Sequence, residues 1–243
     1  VAIVSCTMLF CLGGGDFDLS VGSTLALGGI LAALVSTSTG NFFIGVLAAL
    51  AAGAFVGLVN GTVISRFGVN ALIATLATMQ IVRGAANMLT QAKAIPLTAP
   101  GSSFLGGGKL WGIPMPIWLM ALFFIVFGVL LNRTVFGRNT LAIGGNAEAA
   151  KLAGINVAST KTWVFVLSGM AAAFAGVVSA SRLVLASHNA GDKLELQAIS
   201  ACVLGGVSLA GGVGTISGVI VGVLIMGIVE NVMRLLAIDT FWQ

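Results

Sequence analysis

The side chains able to do chemistry are few: seven acids, eleven basic residues and a single histidine, His188, in 243 positions. Asp16 and Asp18 are spaced like a glycosidase carboxylate pair. They directly follow Gly13-Gly14-Gly15, which interrupts an apolar run. Capping of the next helix by Asp18 or Ser20 is therefore the simpler expectation. Gly106-Gly107-Gly108-Lys109 carries the glycines and lysine of a phosphate loop, but Leu110 follows where Ser or Thr is required, and the preceding spacing also fails. No G-x-x-x-x-G-K-S/T, H-E-x-x-H or G-x-S-x-G motif occurs. Cys6, Cys11 and Cys202 lie in apolar runs without a C-x-x-C, and one histidine cannot complete a metal set, so they read as small buried thiols. No catalytic set, metal site or cofactor of the chain's own is expected, and the chain reads as a non-enzyme.

The remaining polar groups sit inside apolar segments, where burial in lipid is costly. On a helix, Gln80, Arg83, Asn87 and Gln91 share one side, and Thr75 and Thr78 share another. Glu230 and Arg234 are spaced i,i+4 in the favourable order for an ion pair, with Asn231 beside them. Asn60 lies within a Gly-rich run. Asn60, Gln80, Arg83, Asn87, Glu230 and Asn231 are candidates to line a path for a hydrophilic solute. The competing reading has Arg83 snorkelling near a helix end and Glu230 pairing with Arg234 to pin helices. His188, in a loop, reads as solvated.

Composition dictates what positions these groups. Hydrophobic residues make up 58% and charged residues 7%, against about 25% charged in a soluble domain. Continuous apolar runs exclude the alternation of a β-barrel. The expected fold is an all-α membrane protein: a polytopic helical bundle with broken, Gly-interrupted helices, packed through its 34 glycines. Spans are predicted over Ser20–Val35, Ile44–Ile64, Asn70–Leu89, Pro116–Leu131, Thr162–Leu183 and Ile216–Ala237, with shorter apolar segments at Val1–Leu12 and Leu196–Leu209. Gln91–Pro114 and Ala186–Lys193 are predicted loops. A chain that starts inside an apolar run and stops just after Phe241-Trp242 reads as a fragment, lacking both termini, of a single transmembrane domain covering residues 1–243. Residues Ile3–Gly22 and Ile199–Gly218 also match as a candidate internal repeat: a short apolar helix, glycines, then a new helix. Paired Gly-broken segments are a transporter signature.

Asn132–Lys161 stands apart, with four of the eleven basic residues: Arg133, Arg138, Lys151 and Lys161. Within it, Asn146 can cap a helix, Glu148 suits the first turn, and Gly154 can close the end. Placing this stretch inside gives Arg66, Arg133, Arg138, Lys151 and Lys161 to the cytoplasm, and leaves Lys93, Lys109 and Lys193 outside with Asp192, Glu195 and Asp239. The net charge of +4 thus belongs to inner loops, and no nucleic acid partner is expected. A capped helix in a 133–161 cytoplasmic loop implies a docking partner. An ion-coupled secondary transporter of a small polar solute would share the broken helices and intramembrane charges, and a channel or scaffold is a further alternative.

Four motifs carry a resemblance: Gly14-Gly15-Asp16-Phe17-Asp18-Leu19-Ser20-Val21-Gly22; Asn70-Ala71-Leu72-Ile73-Ala74-Thr75-Leu76-Ala77-Thr78-Met79; Phe136-Gly137-Arg138 through Ile143-Gly144-Gly145-Asn146, Ala149-Ala150 and Gly154-Ile155; and Ala201 through Leu209 with Gly211-Gly212-Val213-Gly214. In this order they resemble the permease subunits of bacterial ABC importers for monosaccharides. The wording of Thr78–Gly84 and Arg138–Asn146 is most similar to the L-arabinose branch, whose members share the DFD spelling of the first motif. The resemblance implies a second permease copy as a homodimer partner, a cytoplasmic ATP-binding subunit that holds the ATP, and a periplasmic sugar-binding protein docking on Gln91–Pro114 and Ala186–Glu195. The site would be a bacterial inner membrane, with lipid around the spans. Ala147–Ala153 would be the coupling helix, and Gly144, Gly145, Asn146, Glu148, Ala149, Ala150, Leu152 and Gly154 the ATPase-docking residues.

Overall fold

The computed structural model describes residues 1–236. Ala237, the predicted end of the last span, and Asp239 lie outside the described residues. The helices run in order α1 (Ala2–Gly13), α2 (Val21–Thr39), α3 (Phe42–Phe67), α4 (Ala71–Thr90), α5 (Phe104–Gly107), α6 (Met115–Arg133), α7 (Val135–Gly145), α8 (Ala147–Leu152), α9 (Val157–Leu183), α10 (Leu194–Leu204) and α11 (Ile216–Leu235). Among the described residues α2, α3, α4, α6, α9 and α11 are long and apolar enough to cross a membrane. Large apolar side chains such as Phe43, Ile73, Ile125 and Ile228 are exposed on them, as a lipid-facing surface requires. The chain is a multi-pass membrane protein.

Asparagine starts helices repeatedly. Asn41, Asn70 and Asn156 each accept a backbone N–H of the first turn, from Phe43, Leu72 and Ser159, at 2.9 Å. Such caps satisfy donors that would otherwise be orphaned at a helix start.

The centre is α9, with α2 beside it. About 72% of its apolar window and 67% of that of α2 are buried, against 11% for α11. Lipid offers no hydrophobic drive for helix association, so close packing must supply the attraction. Small residues at four-residue spacing provide it: Gly53, Gly57 and Gly61 of α3 lie against Gly169, Phe165 and Thr162 of α9, antiparallel. A Cβ on Gly53 would overlap the Gly169 carbonyl, and one on Gly169 would overlap the Gly53 carbonyl. On α2, Gly28 and Gly29 meet Ala173 and Gly176 in the same manner.

The two predicted breaks are both present. α1 ends at Gly13 and α2 starts at Val21; α10 ends at Leu204, rather than Leu209, and α11 starts at Ile216. The earlier end follows from the Gly205-Gly206 turn, where Val207 N–H closes on Cys202 C=O at 3.0 Å. α10 and α11 form an antiparallel hairpin with Gly205 on Gly218 and Ala201 on Gly222, and α1 lies beside α10, where Cys202 Sγ approaches Ser5 C=O at 3.4 Å.

At the other end of α9 the predicted loops are partly ordered into structure. Residues Ile95–Pro96 (β1) pair antiparallel with Leu185–Ala186 (β4), and Lys109–Leu110 (β2) with Ile113–Pro114 (β3). Ser181 accepts from Gly106 N–H at 2.7 Å and donates to the Ser102 carbonyl, which fastens the Gln91–Pro114 segment onto α9. Both predicted docking loops therefore belong to one layer, roughly 40 Å along α9 from its start at 1.5 Å per residue.

Overpacking a core costs about 1–3 kcal/mol. With backbone as the obstacle, Gly169→Val is expected at or above the top of that range, read as a lower melting temperature of the purified chain in detergent. Gly227→Ala meets nothing within 4 Å and should stay within about 0.5 kcal/mol of the parent.

Candidate functional site

The stretch 132–161 is helical nearly throughout. α6 runs to Arg133, Thr134 both ends it and caps α7, and α9 begins at Val157. α8 forms as its residues dictate. Asn146 Oδ1 accepts from Ala149 N–H at 2.9 Å, Glu148 sits in the first turn, and Lys151 in the last. Gly154, at φ +85°, turns the chain, while Ile155 N–H reaches the Ala150 carbonyl at 3.0 Å. A residue with a Cβ would be strained there.

The predicted docking residues divide into two groups. Gly145, Asn146, Glu148, Ala149, Leu152 and Gly154 are exposed, and Leu152, an apolar side chain, is 90% exposed. Ala150 is buried at 5% exposure and faces the chain's own body, so it seats α8 instead of presenting a surface. Gly144 is also turned inward. A Cβ there would overlap the Gly13 carbonyl and lie 2.7 Å from Gly212 N. An open cleft beside α8 is lined by Ser65, Glu148, Lys151, Ile155, Asn156 and Ala158.

Gly144 thereby joins α7 to both helix breaks. Gly212 N–H donates to the Gly13 carbonyl at 2.9 Å. Gly211 and Gly212, at φ +87° and +79°, bring their backbone onto Gly144, Gly145 and Gly15. Only glycine combines that conformation with such proximity. Beside this joint Lys161 Nζ sits 2.8 Å from Asp16 Oδ2. Burial pushes the Asp16 carboxyl above the usual carboxylate range, and the Lys161 ammonium offsets only part of that rise.

The predicted path residues are dispersed. Asn60 is 1% exposed and fully engaged: its Nδ2 donates to Ser20 Oγ at 2.9 Å, and its Oδ1 accepts from Thr78 Oγ1 at 2.6 Å. Ser20 Oγ donates onward to Asp18 Oδ1 at 2.6 Å, Ser20 N–H donates to the same oxygen, and Ser168 Oγ donates to Asp18 Oδ2 at 2.7 Å. Asn60 therefore ties α3 into an internal network instead of facing a solute. Asp18 and Ser20 do not cap α2 through their side chains, as the sequence suggests; no side-chain cap bond forms at Ser20. The carboxylate collects hydroxyl donors from α2 and α9 because in this apolar interior nothing else would solvate it.

On α4 the side division holds: Thr78 turns to α3, whereas Gln80 is exposed and Asn87 half-buried. Arg83 neither snorkels nor stands open. Its guanidinium donates to the carbonyls of His188 and Ala190 and pairs with Asp192 at 2.9 Å, which holds the loop after β4. Glu230 pairs with Arg234 at 3.4 Å as spaced, on the exposed side of α11 with Asn231. Sequence reading missed Ser168 and Lys161 as partners. Each meets its acid across more than 140 residues, and no local pattern carries that.

Residues 1–241 match the family model described as the branched-chain amino acid transport system / permease component. The chain is 53% identical over 241 residues to the L-arabinose transport system permease protein of Escherichia coli, covering 99% of this chain and 74% of that protein. It is 49% identical over 243 residues to the L-arabinose ABC transporter permease protein of Azospirillum brasilense, covering 100% and 72%. To the ribose import permease protein of Bacillus subtilis it is 40% identical over 245 residues, covering 99% and 76%. No solved structure matches the chain.

Asn60→Leu leaves Ser20 and Thr78 without their partner and is expected to lower stability by about 1–3 kcal/mol, measured by thermal unfolding in detergent. Transport normalised to folded protein should then be unchanged, which a solute-lining Asn60 would not allow.

Proposed function

The chain belongs to the family described as the branched-chain amino acid transport system / permease component, and from that membership we propose that it is the membrane subunit of an ATP-driven monosaccharide importer, with L-arabinose as its solute. The identity of 53% to an L-arabinose permease against 39–40% to ribose permeases carries the choice of sugar. Relatives of this kind are transport components, so the chain moves the sugar without covalent chemistry.

A permease of an ABC importer works with an ATP-binding protein and a substrate-binding protein. The chain carries no phosphate loop among its 243 residues, so the ATP is held by the partner. α8 is suited to meet it. It is a capped helix with an apolar Leu152 standing clear of its own body, and such a side chain fits a groove on another protein. Lys151 and Glu148 flank it. The layer holding β1 and β4 lies at the far end of α9, where a sugar-binding protein would dock on the periplasmic side.

A second copy of the chain completes the path in this proposal. Gln80 on α4, and Glu230 and Asn231 on α11, put polar atoms on otherwise apolar outward faces. Lipid is a poor neighbour for them, whereas a wet cleft between two copies accommodates them and offers a sugar replaceable hydrogen bonds. Ion-coupled transport needs no such docking helix and has no support from the relatives.

Reconstitution in liposomes with candidate ATP-binding and sugar-binding proteins tests the reading. ATP-dependent uptake of L-arabinose in preference to ribose is expected, and uptake without the ATP-binding protein would refute it. Leu152→Asp should weaken capture of the ATP-binding protein by about tenfold or more. Gln80→Leu should slow uptake while leaving that capture intact.

A further inference from the structure

The segment bearing α8 is held against the first helix break at both of its ends. At the near end, α7 finishes at Gly145, and the backbone of Gly144 just before it abuts Gly13 and Gly212. At the far end, α9 begins, and within its first turns Lys161 pairs with Asp16 at 2.8 Å. Asp16 belongs to the same break, and its N–H is bonded to the Cys11 carbonyl at 2.9 Å. The two contacts differ in kind. The first is close packing of backbone on backbone, while an ion pair between side chains 21% and 12% exposed joins two charges at a set distance and direction. The residues around the pair are Phe10, Cys11, Gly14, Thr140, Ile143, Thr160 and Val164, with no other charge among them. Neither partner has a second ion-pair partner among the described residues.

Beyond Asp16 the connection continues without a gap. Two residues on, Asp18 binds Ser20 at the start of α2 and Ser168 on α9. Ser20 is bonded to Asn60 on α3, and Asn60 to Thr78 on α4. Thr78 precedes Gln80, on the polar face of the same helix, by two positions. The helix break is thereby bonded to α2, α3, α4 and α9 through side chains that are nearly all buried.

We propose that Asp16 and Lys161 are a positioning pair that makes displacement of the α7–α8 segment move the α1–α2 break, and so links the partner's ATP cycle to opening of the solute path. This rests on the importer reading above. A physical claim of coupling requires that the contact bias a two-state element, not merely lie between two sites. The quantity to read is therefore sugar moved per ATP hydrolysed, which simple loss of folded protein leaves unchanged.

The experiment uses the reconstituted complex with its ATP-binding and sugar-binding proteins. Asp16→Asn and Lys161→Met are made singly; the methionine keeps most of the alkyl stem and its packing. Lys161→Arg is the conservative control, and Asp16→Lys with Lys161→Asp is the reversed pair. Both single variants should hydrolyse ATP within about twofold of the parent and move roughly fivefold less sugar per ATP, the lower range of measured couplings. Lys161→Arg should retain the parent ratio, and the reversed pair should recover at least half of it. The proposal is overturned if the single variants keep the parent ratio, or if the reversed pair folds with the parent melting temperature yet does no better than the singles. A parent complex that takes up no sugar on ATP addition overturns the importer reading itself, and the pair's role with it.

Discussion

Every backbone N–H and C=O in an apolar interior needs a partner, because no water is there to supply one. That constraint governs this chain, since it breaks two helices inside its own bundle. The breaks resolve it partly by meeting each other. Gly212 N–H is satisfied by the Gly13 carbonyl, and consecutive left-handed glycines allow the approach. The remaining polarity is absorbed by Asp18. Its two oxygens take three donors, and the serines that supply them are themselves buried. Ser20, Asn60 and Thr78 then form a directional series, each donating toward the acid. Removing one member leaves its neighbour unpaired, so these residues act as one unit.

Much of the architecture is legible in the sequence because it follows from local chemistry. Runs of apolar residues near 20 long define the spans. Asn146 and Gly154 announce α8 through a cap and a left-handed turn, and both geometries are found. The paired Gly breaks are visible as strings of glycine. The exposed face of α8 is legible for the same reason. What is not legible is which polar residue faces which. Asn60 is a polar residue in an apolar helix whether it lines a path or closes a network, and only the positions of Ser20 and Thr78 distinguish the two. Arg83 is equally ambiguous in sequence; its contacts to the loop after β4 lie more than 100 residues away. The family resemblance counts Ala150 and Gly144 among docking residues, yet the burial of Ala150 gives it the seating of α8, and the contacts of Gly144 join α7 to the breaks.

The packing of α9 explains how a rigid bundle and a movable site can coexist. Through most of its length α9 is locked to α3 and α2 by reciprocal glycine contacts in which backbone meets backbone. Those surfaces leave no side chain that could yield, so α2, α3 and α9 behave as one body. Helices α6, α10 and α11 are attached differently. Gly128 of α6 meets only the side chain of Ile216, and α10 and α11 are locked chiefly to each other through Gly205, Gly218 and Gly222. The chain is thus organised as a stiff trio and a hairpin that touches it through α1, the glycine joint and the approach of Glu195 on α10 to Gly22 on α2.

Force applied at α8 arrives where these two bodies meet. α8 is too short to be stable alone, since isolated helices below about 12 residues are marginal in water; its order derives from the caps and from Ala150 packed beneath it. In the docking proposed above, a partner gripping Leu152 would pull on a segment held at its two ends and by Ala150 beneath it. One end is the joint of Gly144 with Gly13 and Gly212, on the side of the hairpin. The other is the start of α9, on the side of the trio, which carries Lys161 to Asp16. On the coupling proposed above, a displacement of α8 would be felt unequally at its two ends, because one is backbone packing and the other a directional ion pair, and that difference would turn a push on a surface helix into relative motion of the two bodies.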